Sequence, residues 1–217
     1  MMISHDPPKN RIFYLLMRPP QKKCYSNDFQ TPPSAIRPLI PYLNRSWVIW
    51  ECACGKGNLV RELEKSGFKV IGSDIIFGQD FLSWQPNHFD CIITNPPYSL
   101  RYEFIKRCYE LGKPWAMLMP FTTLEGRRQE LFKKYGIELL VLNKRVPFET
   151  PSGRGSGPWF PVAWFCWKIL PRQIMFEDHS IFYLLMENEQ KERIARQACQ
   201  EEAASSIMRP QPNTWQH

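Results

Sequence analysis

The sequence predicts a doubly wound α/β fold, and three observations carry that expectation. Between about residues 47 and 170, short runs rich in β-branched and aromatic residues alternate with helical segments, the pattern of parallel βαβ units. The run "WVIWECA" (47–53) leads straight into a Gly-x-Gly turn and a helical segment, the junction at which such folds admit a nucleoside ligand. A later apolar run stops abruptly at "NPPY" (95–98), because two successive residues without a backbone N–H end any strand or helix.

The elements follow in order. After the strand at 47–53, "NLVRELEKSG" (58–67) reads as a helix closed by a glycine C-cap. Strands are expected at "FKVIGSD" (68–74) and "FDCIITN" (89–95), then a helix at "LRYEFIKRCYELG" (100–112). A strand "PWAMLMP" (114–120), a helix "LEGRRQELFKKYG" (124–136) and a strand "IELLVLN" (137–143) continue the series. The Gly/Pro/Ser-rich loop "TPSGRGSGP" (150–158) precedes a last strand within 159–170. Together these predict a Rossmann-like, mostly parallel sheet with ligands at the carboxyl ends of its strands. The flanks differ. Residues 1–27 read as an N-terminal extension, 28–170 as the main domain, and 171–217 as a helical and polar tail with a charged helical run at 186–204. The hexapeptide "IFYLLM" occurs at both 12–17 and 181–186. One short repeat does not make a repeat architecture.

Composition narrows the function classes. The 217 residues are 43% hydrophobic and 14% aromatic, enough for one full domain with a substantial core. The longest apolar runs are too short to cross a bilayer, and the first ten residues lack the apolar stretch of a signal peptide. A soluble protein of the cytoplasm is expected, with no membrane partner. Seven scattered cysteines fit free thiols in a reducing compartment. Cys52 and Cys54 lack a second ligand pair nearby, so no metal is expected. The four histidines are isolated, and none is proposed as a catalyst. A net charge of +7 is compatible with a polyanionic partner.

The chemistry concentrates at four points. Glu51 ends the first strand, and Gly55 and Gly57 remove side chains from the turn that follows. Asp74 ends the next strand, where an acid can take two ribose hydroxyls. Asp80 and Phe81 add an acid and a ring suited to an adenine. A third glycine of the dinucleotide fingerprint is absent, so an adenosine ligand without phosphates fits better. Asn95 lies at the end of the strand at 89–95. Its Oδ1 and the Pro96 carbonyl, held by the rigid Pro96-Pro97 turn, can both accept from one planar –NH2 group. Such bonds favour a pyramidal nitrogen with a localised lone pair, and Tyr98 offers a ring face for stacking.

With these residues the chain resembles the class I S-adenosylmethionine-dependent amino-methyltransferases, specifically the small adenine-N6 DNA methyltransferases common in phages. The resemblance covers about 28–168 and implies a seven-stranded sheet. It implies that Gln30, Thr31 and Pro32 of "DFQTP" meet the methionine end of S-adenosylmethionine. It further implies that Glu51, Cys52, Ala53, Gly55 and Gly57 form the glycine loop. Asp74 is then the ribose acid, Asp80 and Phe81 the adenine contacts, and Asn95, Pro96, Pro97 and Tyr98 the catalytic motif, with Asn95 also bordering the cofactor. The segment 145–168 resembles a base-pocket loop and terminal hairpin. The family's sizeable recognition region has no counterpart after residue 168, which implies a short or degenerate target context.

Further contacts are expected from Lys144, Arg145 and Arg154 to phosphates, and from Phe148 and Trp159 to a flipped base. Core packing is the plainer alternative for the two aromatics. Arg127, Arg128, Lys133 and Lys134 are candidates for phosphate contact, with a solvated helix face as the plainer alternative. The expected function is methyl transfer to the exocyclic nitrogen of adenine in DNA, within a host cytoplasm if phage-encoded. The alternatives are adenine in RNA, a protein glutamine, or a non-catalytic nucleic-acid-binding relative.

Overall fold

The computed structural model describes residues 30–148 and 160–178, together with Ser180 and Lys191. Seven strands form one sheet: β1 Val48–Glu51, β2 Lys69–Gly72, β3 Cys91–Thr94, β4 Trp115–Pro120, β5 Glu138–Val141, β6 Val162–Trp167 and β7 Ile174–Phe176. Their order across the sheet is β2-β1-β3-β4-β6-β5-β7. β6 alone runs antiparallel to its neighbours β4 and β5, whereas the pairings β1–β2, β1–β3, β3–β4 and β5–β7 are parallel. Helices α1 Asn58–Lys65, α2 Arg101–Leu111 and α3 Arg128–Tyr135 make the crossovers. The expected α/β, doubly wound, mostly parallel architecture is therefore present.

Strand alternation builds the two faces. Ile49, Ile93, Ala116, Leu118, Trp164 and Cys166 point to one core, shared with Leu59 and Leu63 of α1. Trp50, Ile92, Trp115, Met117, Ala163 and Phe165 point to the other, shared with Phe104, Ile105 and Cys108 of α2 and Phe132 of α3. This two-residue period is what a sheet covered on both faces requires. Every residue of β3 and β4 is buried, so the centre of the sheet is the stable floor under the carboxyl-end loops.

Two regions depart from expectation. The proline-rich stretch before β1 contributes short 3-10 turns at Pro33–Ala35 and Ile40–Tyr42, and Ile36, Leu39, Ile40 and Leu43 are core residues. The indole Nε1 of Trp164 donates to the Ala35 carbonyl at 2.8 Å, tying this stretch to β6. The sheet also continues past residue 170, where the domain was expected to end. Glu138 accepts from the backbone N–H groups of Lys168, Ile169 and Leu170 at 3.0, 3.0 and 2.7 Å. That turn, with Lys168 in the left-handed region at φ 59°, redirects the chain into β7. The N-terminal extension 1–27, the run at 186–204 apart from Lys191, both copies of "IFYLLM", Arg154 and Trp159 lie outside the described residues.

The chain leaves β1 for β2 on one side and returns to β3 on the other. The switch point is thus between β1 and β3, where open α/β sheets leave a crevice at their carboxyl ends.

Candidate active site

A cavity of about 400 Å3 occupies that crevice. The carboxyl end of β1 supplies Glu51, Cys52 and Ala53, and the loop after it supplies Cys54, Gly55 and Lys56. The end of β2 supplies Asp74, the next loop Asp80 and Phe81, and the end of β3 Asn95 and Pro97. Gln30 and Thr31 close the cavity from the N-terminal side.

The loop after β1 folds as it does because of its glycines. Gly57 has φ 75° at the N-terminus of α1, and Gly55 has φ 49°. The backbone angle at Gly55 disfavours any side chain, and a Cβ there would come within 3.0 Å of Gln30 Oε1 and push that amide aside. The Lys56 N–H donates to Gln30 Oε1 at 3.1 Å, and Asn58 Nδ2 donates to the Thr31 carbonyl at 3.2 Å. These bonds hold the Gln30–Thr31 segment against the loop.

Three carboxyls differ in their surroundings. Glu51 is 1% exposed and accepts from the Ala53 N–H at 3.1 Å. Burial above all, with the charge of Asp74 adding, pushes its carboxyl up to about 8, against the opposing influence of Thr94 and the Ala53 amide. It is therefore largely protonated at neutral pH, a neutral floor to the cavity. Asp74 accepts from the Gly55 N–H at 2.8 Å and from the Ile76 N–H at 3.1 Å, so both its oxygens brace the surrounding backbone. Asp80 accepts from the Leu82 N–H at 2.9 Å through Oδ1. Phe81 lines the cavity but is 2% exposed and stacks on Phe104 with centroids 4.5 Å apart. The Cys54 thiol is pushed up to about 11, mainly by burial and further by Glu51 and Asp74. It remains a thiol at neutral pH.

The strand β3 delivers the Asn-Pro-Pro-Tyr segment. Asn95 Oδ1 is buried, and no donor reaches it among the described residues. A buried acceptor left unpaired costs about 1–3 kcal/mol, and Thr94 Oγ1, on the preceding residue, is buried without a partner in the same way among the described residues. Tyr98 lies edge-on to Phe160 at 5.8 Å, and its hydroxyl is also buried without a partner among the described residues. Burial raises the Tyr98 phenol well above its ordinary value, so it stays protonated and able to donate.

The structure gathers most expected residues and separates others. Pro32, Gly57, Pro96 and Tyr98 adjoin the cavity's segments without lining it. Phe148 is 3% exposed within the first core, which places it in packing and leaves no open face for a base, in place of the expected stacking contact. Lys144 and Arg145 border a second cavity beyond β5. Sequence reasoning missed Asn58, Leu100, Ile75 and Ile76 as lining residues. Ile75 and Ile76 are 67% and 69% exposed, and two isoleucines directly after a strand-ending acid were the available signal. Among the described residues no three His, Cys, Asp or Glu side chains group as metal ligands, and no helix is long and apolar enough to cross a membrane.

No known protein family and no curated protein matches the sequence. Among solved structures, the chain is similar to a type I restriction-modification methyltransferase subunit from Streptococcus thermophilus at 12% identity and a TM-score of 0.49, covering 76% of this chain and 53% of that one. It is also similar to a dimethyladenosine transferase from Plasmodium falciparum at 16% identity and a TM-score of 0.44, covering 66% and 62%. A third likeness is to a tRNA (m1A58) methyltransferase from Aquifex aeolicus at 15% identity and a TM-score of 0.37, covering 76% and 77%. The chain thus spans about half the length of the first of these. Likenesses this distant leave reaction and substrate open, and the fold assignment rests on strand order and direction.

Proposed function

We propose that the protein transfers a methyl group from S-adenosylmethionine to the exocyclic amine of adenine in DNA. The observation that carries this reading is the buried, unpartnered Oδ1 of Asn95, a residue at the carboxyl end of β3 that lines the cavity at the sheet's switch point. The cavity suits the cofactor on three counts: glycines bare the loop backbone, acids stand at the ends of β1 and β2, and the volume is that of a ligand pocket. S-adenosylmethionine supplies a methyl group on a charged sulfonium, which leaves as neutral S-adenosylhomocysteine.

The chain's own residues supply positioning. Gln30, Thr31 and the loop Glu51–Gly57 hold the methionine end. Asp74 meets the ribose while bracing Gly55 and Ile76, and Asp80 with Phe81 meets the adenine ring. Asn95 Oδ1 and the Pro96 carbonyl accept from the target amine as it pyramidalises, with Pro97 fixing the turn and Tyr98 providing a ring face. These bonds strengthen toward the transition state, which is where binding accelerates a reaction. No side chain need take a proton before attack, because the methylated nitrogen carries a positive charge that lets it release its proton to water afterwards. In a duplex the amine is paired, so the base must be flipped out or presented single-stranded.

Tritiated-methyl transfer to unmethylated plasmid, total RNA and lysate protein, run side by side, tests the reading. Label in DNA adenine is expected. Label confined to RNA or protein would replace the substrate. The Asn95→Ala protein should methylate about 100-fold more slowly in single turnover, the scale of one lost transition-state contact, with cofactor affinity unchanged. A near-normal rate in that variant removes the amine-clamp mechanism.

A further inference from the structure

Three arginines converge beside the clamp, at the same edge of the sheet. Arg101 opens α2 directly after the Asn-Pro-Pro-Tyr segment, and its Nη1 donates to the Tyr98 carbonyl at 3.0 Å. Arg128 opens α3, donating through Nε to the Thr123 carbonyl at 2.8 Å and through Nη2 to the Thr122 carbonyl at 3.0 Å. Arg127 lies over the Tyr102 ring at 3.8 Å and pairs with Glu103 at 2.9 Å. Arg101 and Arg128 are thus anchored by neutral carbonyls, which fix their direction and leave their charge intact. Arg101 Nε is buried without a partner among the described residues.

The three form one electrostatic group. Arg128 is pushed below its ordinary value by burial first and then by the charges of Arg101 and Arg127, with Glu125 opposing. Among the described residues Glu103 pairs with Arg127 and Glu125 acts on Arg128, two carboxylates against three guanidiniums. The remaining cations of α3 differ. Lys133 pairs with Glu130 at 3.5 Å, and Lys134 lies over the Tyr135 ring at 4.8 Å. Like-charged groups held together by the fold are costly unless an anion joins them, and the planar guanidinium fork matches a phosphate.

We propose that Arg101, Arg127 and Arg128 form a phosphodiester-binding site that grips the nucleic-acid strand next to the target base. The inference rests on the reading of the clamp as an adenine-amine site and adds where the strand's backbone lies. Because Arg101 holds the Tyr98 carbonyl, a phosphate on this cluster also fixes the position of the clamp. Strand binding and base placement are then linked.

The test is equilibrium binding of a DNA oligonucleotide between 50 and 200 mM salt, about the range over which phosphate contacts are lost, with methylation rates measured in parallel. Arg101→Gln/Arg128→Gln should bind about tenfold more weakly at low salt, and its log–log salt slope should fall in magnitude by about 1–2. Its S-adenosylmethionine affinity should match wild type, while its melting temperature should fall by what the loss of three carbonyl hydrogen bonds accounts for, so binding is compared where both proteins are folded. Arg101→Lys/Arg128→Lys, which keeps the charge, should retain most of the slope. Lys113→Gln, just before the opposite end of β4, should leave the slope unchanged. An unchanged slope in the glutamine variant, or an equal loss in the lysine variant, overturns the phosphate site. A wild-type chain that binds DNA with a steep slope but transfers no methyl group sinks the clamp reading and leaves the arginine site standing. A wild-type chain with no salt-dependent binding sinks the site itself.

Discussion

Two cavities open along the same rim of the sheet, and they are nearly equal in size. One lies at the ends of β1 and β3, about 400 Å3. The other lies beyond the ends of β5 and β7, about 390 Å3, among Arg37, Lys144, Arg145, Glu177 and Asp178. Most polar groups in both have partners, and the difference lies in one atom. In the second cavity Glu177 accepts from the Asn143 N–H at 2.9 Å, Asp178 accepts from the Ser180 N–H at 2.9 Å, and Arg37 pairs with Glu62 at 3.0 Å. In the first, a protonated acid and an unpartnered amide oxygen are sealed from water. Volume does not distinguish a site from a crevice. An unpartnered buried acceptor on a lining residue, Asn95, sets the first apart among the described residues.

The contrast can be broken most forcefully at Glu51. Its carboxyl rises from 4.5 to about 8 on folding, which at about 1.4 kcal/mol per unit corresponds to several kcal/mol. The folded state holds this proton where the unfolded chain has released it. Stability from this group is therefore full below pH ~4.5 and is lost as pH rises through about 8. Denaturant titrations across that window should show the decline, and Glu51→Gln should flatten it. An equally steep decline in the variant would place the titrating group elsewhere.

Asp74 comes next. Asp74→Ala removes the acceptor for both Gly55 and Ile76, and should cost about 1–3 kcal/mol of stability besides about 2 kcal/mol or more in cofactor binding. Calorimetry and chemical denaturation on one preparation separate the two losses. Wild-type cofactor affinity in a folded variant would remove the ribose role. The smallest effect belongs to the second cavity: Arg37→Ala breaks an exposed ion pair and should shift stability by less than about 1 kcal/mol, with methylation unaffected. If methylation falls tenfold, the second cavity belongs to the working site and the contrast fails.

Much of this was legible in the sequence, for identifiable reasons. Strands and helices between 47 and 170 announced themselves because β-branched runs, glycine caps and the doubled proline are local signals. The crevice was legible through Glu51, Gly55, Asp74 and Asn95, since strand ends in a doubly wound sheet have a known destination. β7 was not, because a three-residue edge strand has no period to detect. The core role of Ile36 and Leu39 was masked by the prolines around them, whose 3-10 turns acquire meaning only against β6. Phe148 illustrates the same limit. An aromatic beside a loop looks like a stacking platform until packing shows which way it turns.

The hydrogen bond from Trp164 to Ala35 spans 129 residues, and it bears on how the molecule is made. Chains emerge from the ribosome at roughly 5–20 residues per second, so the wait between these two partners is on the order of ten seconds. Throughout that interval β1, β2 and β3 can exist while the stretch that carries Gln30 and Thr31 lacks its anchor on β6. The glycine loop is therefore synthesised early and its cover is secured late. A nascent chain arrested ahead of residue 164 would display the crevice without the fastening that holds its rim.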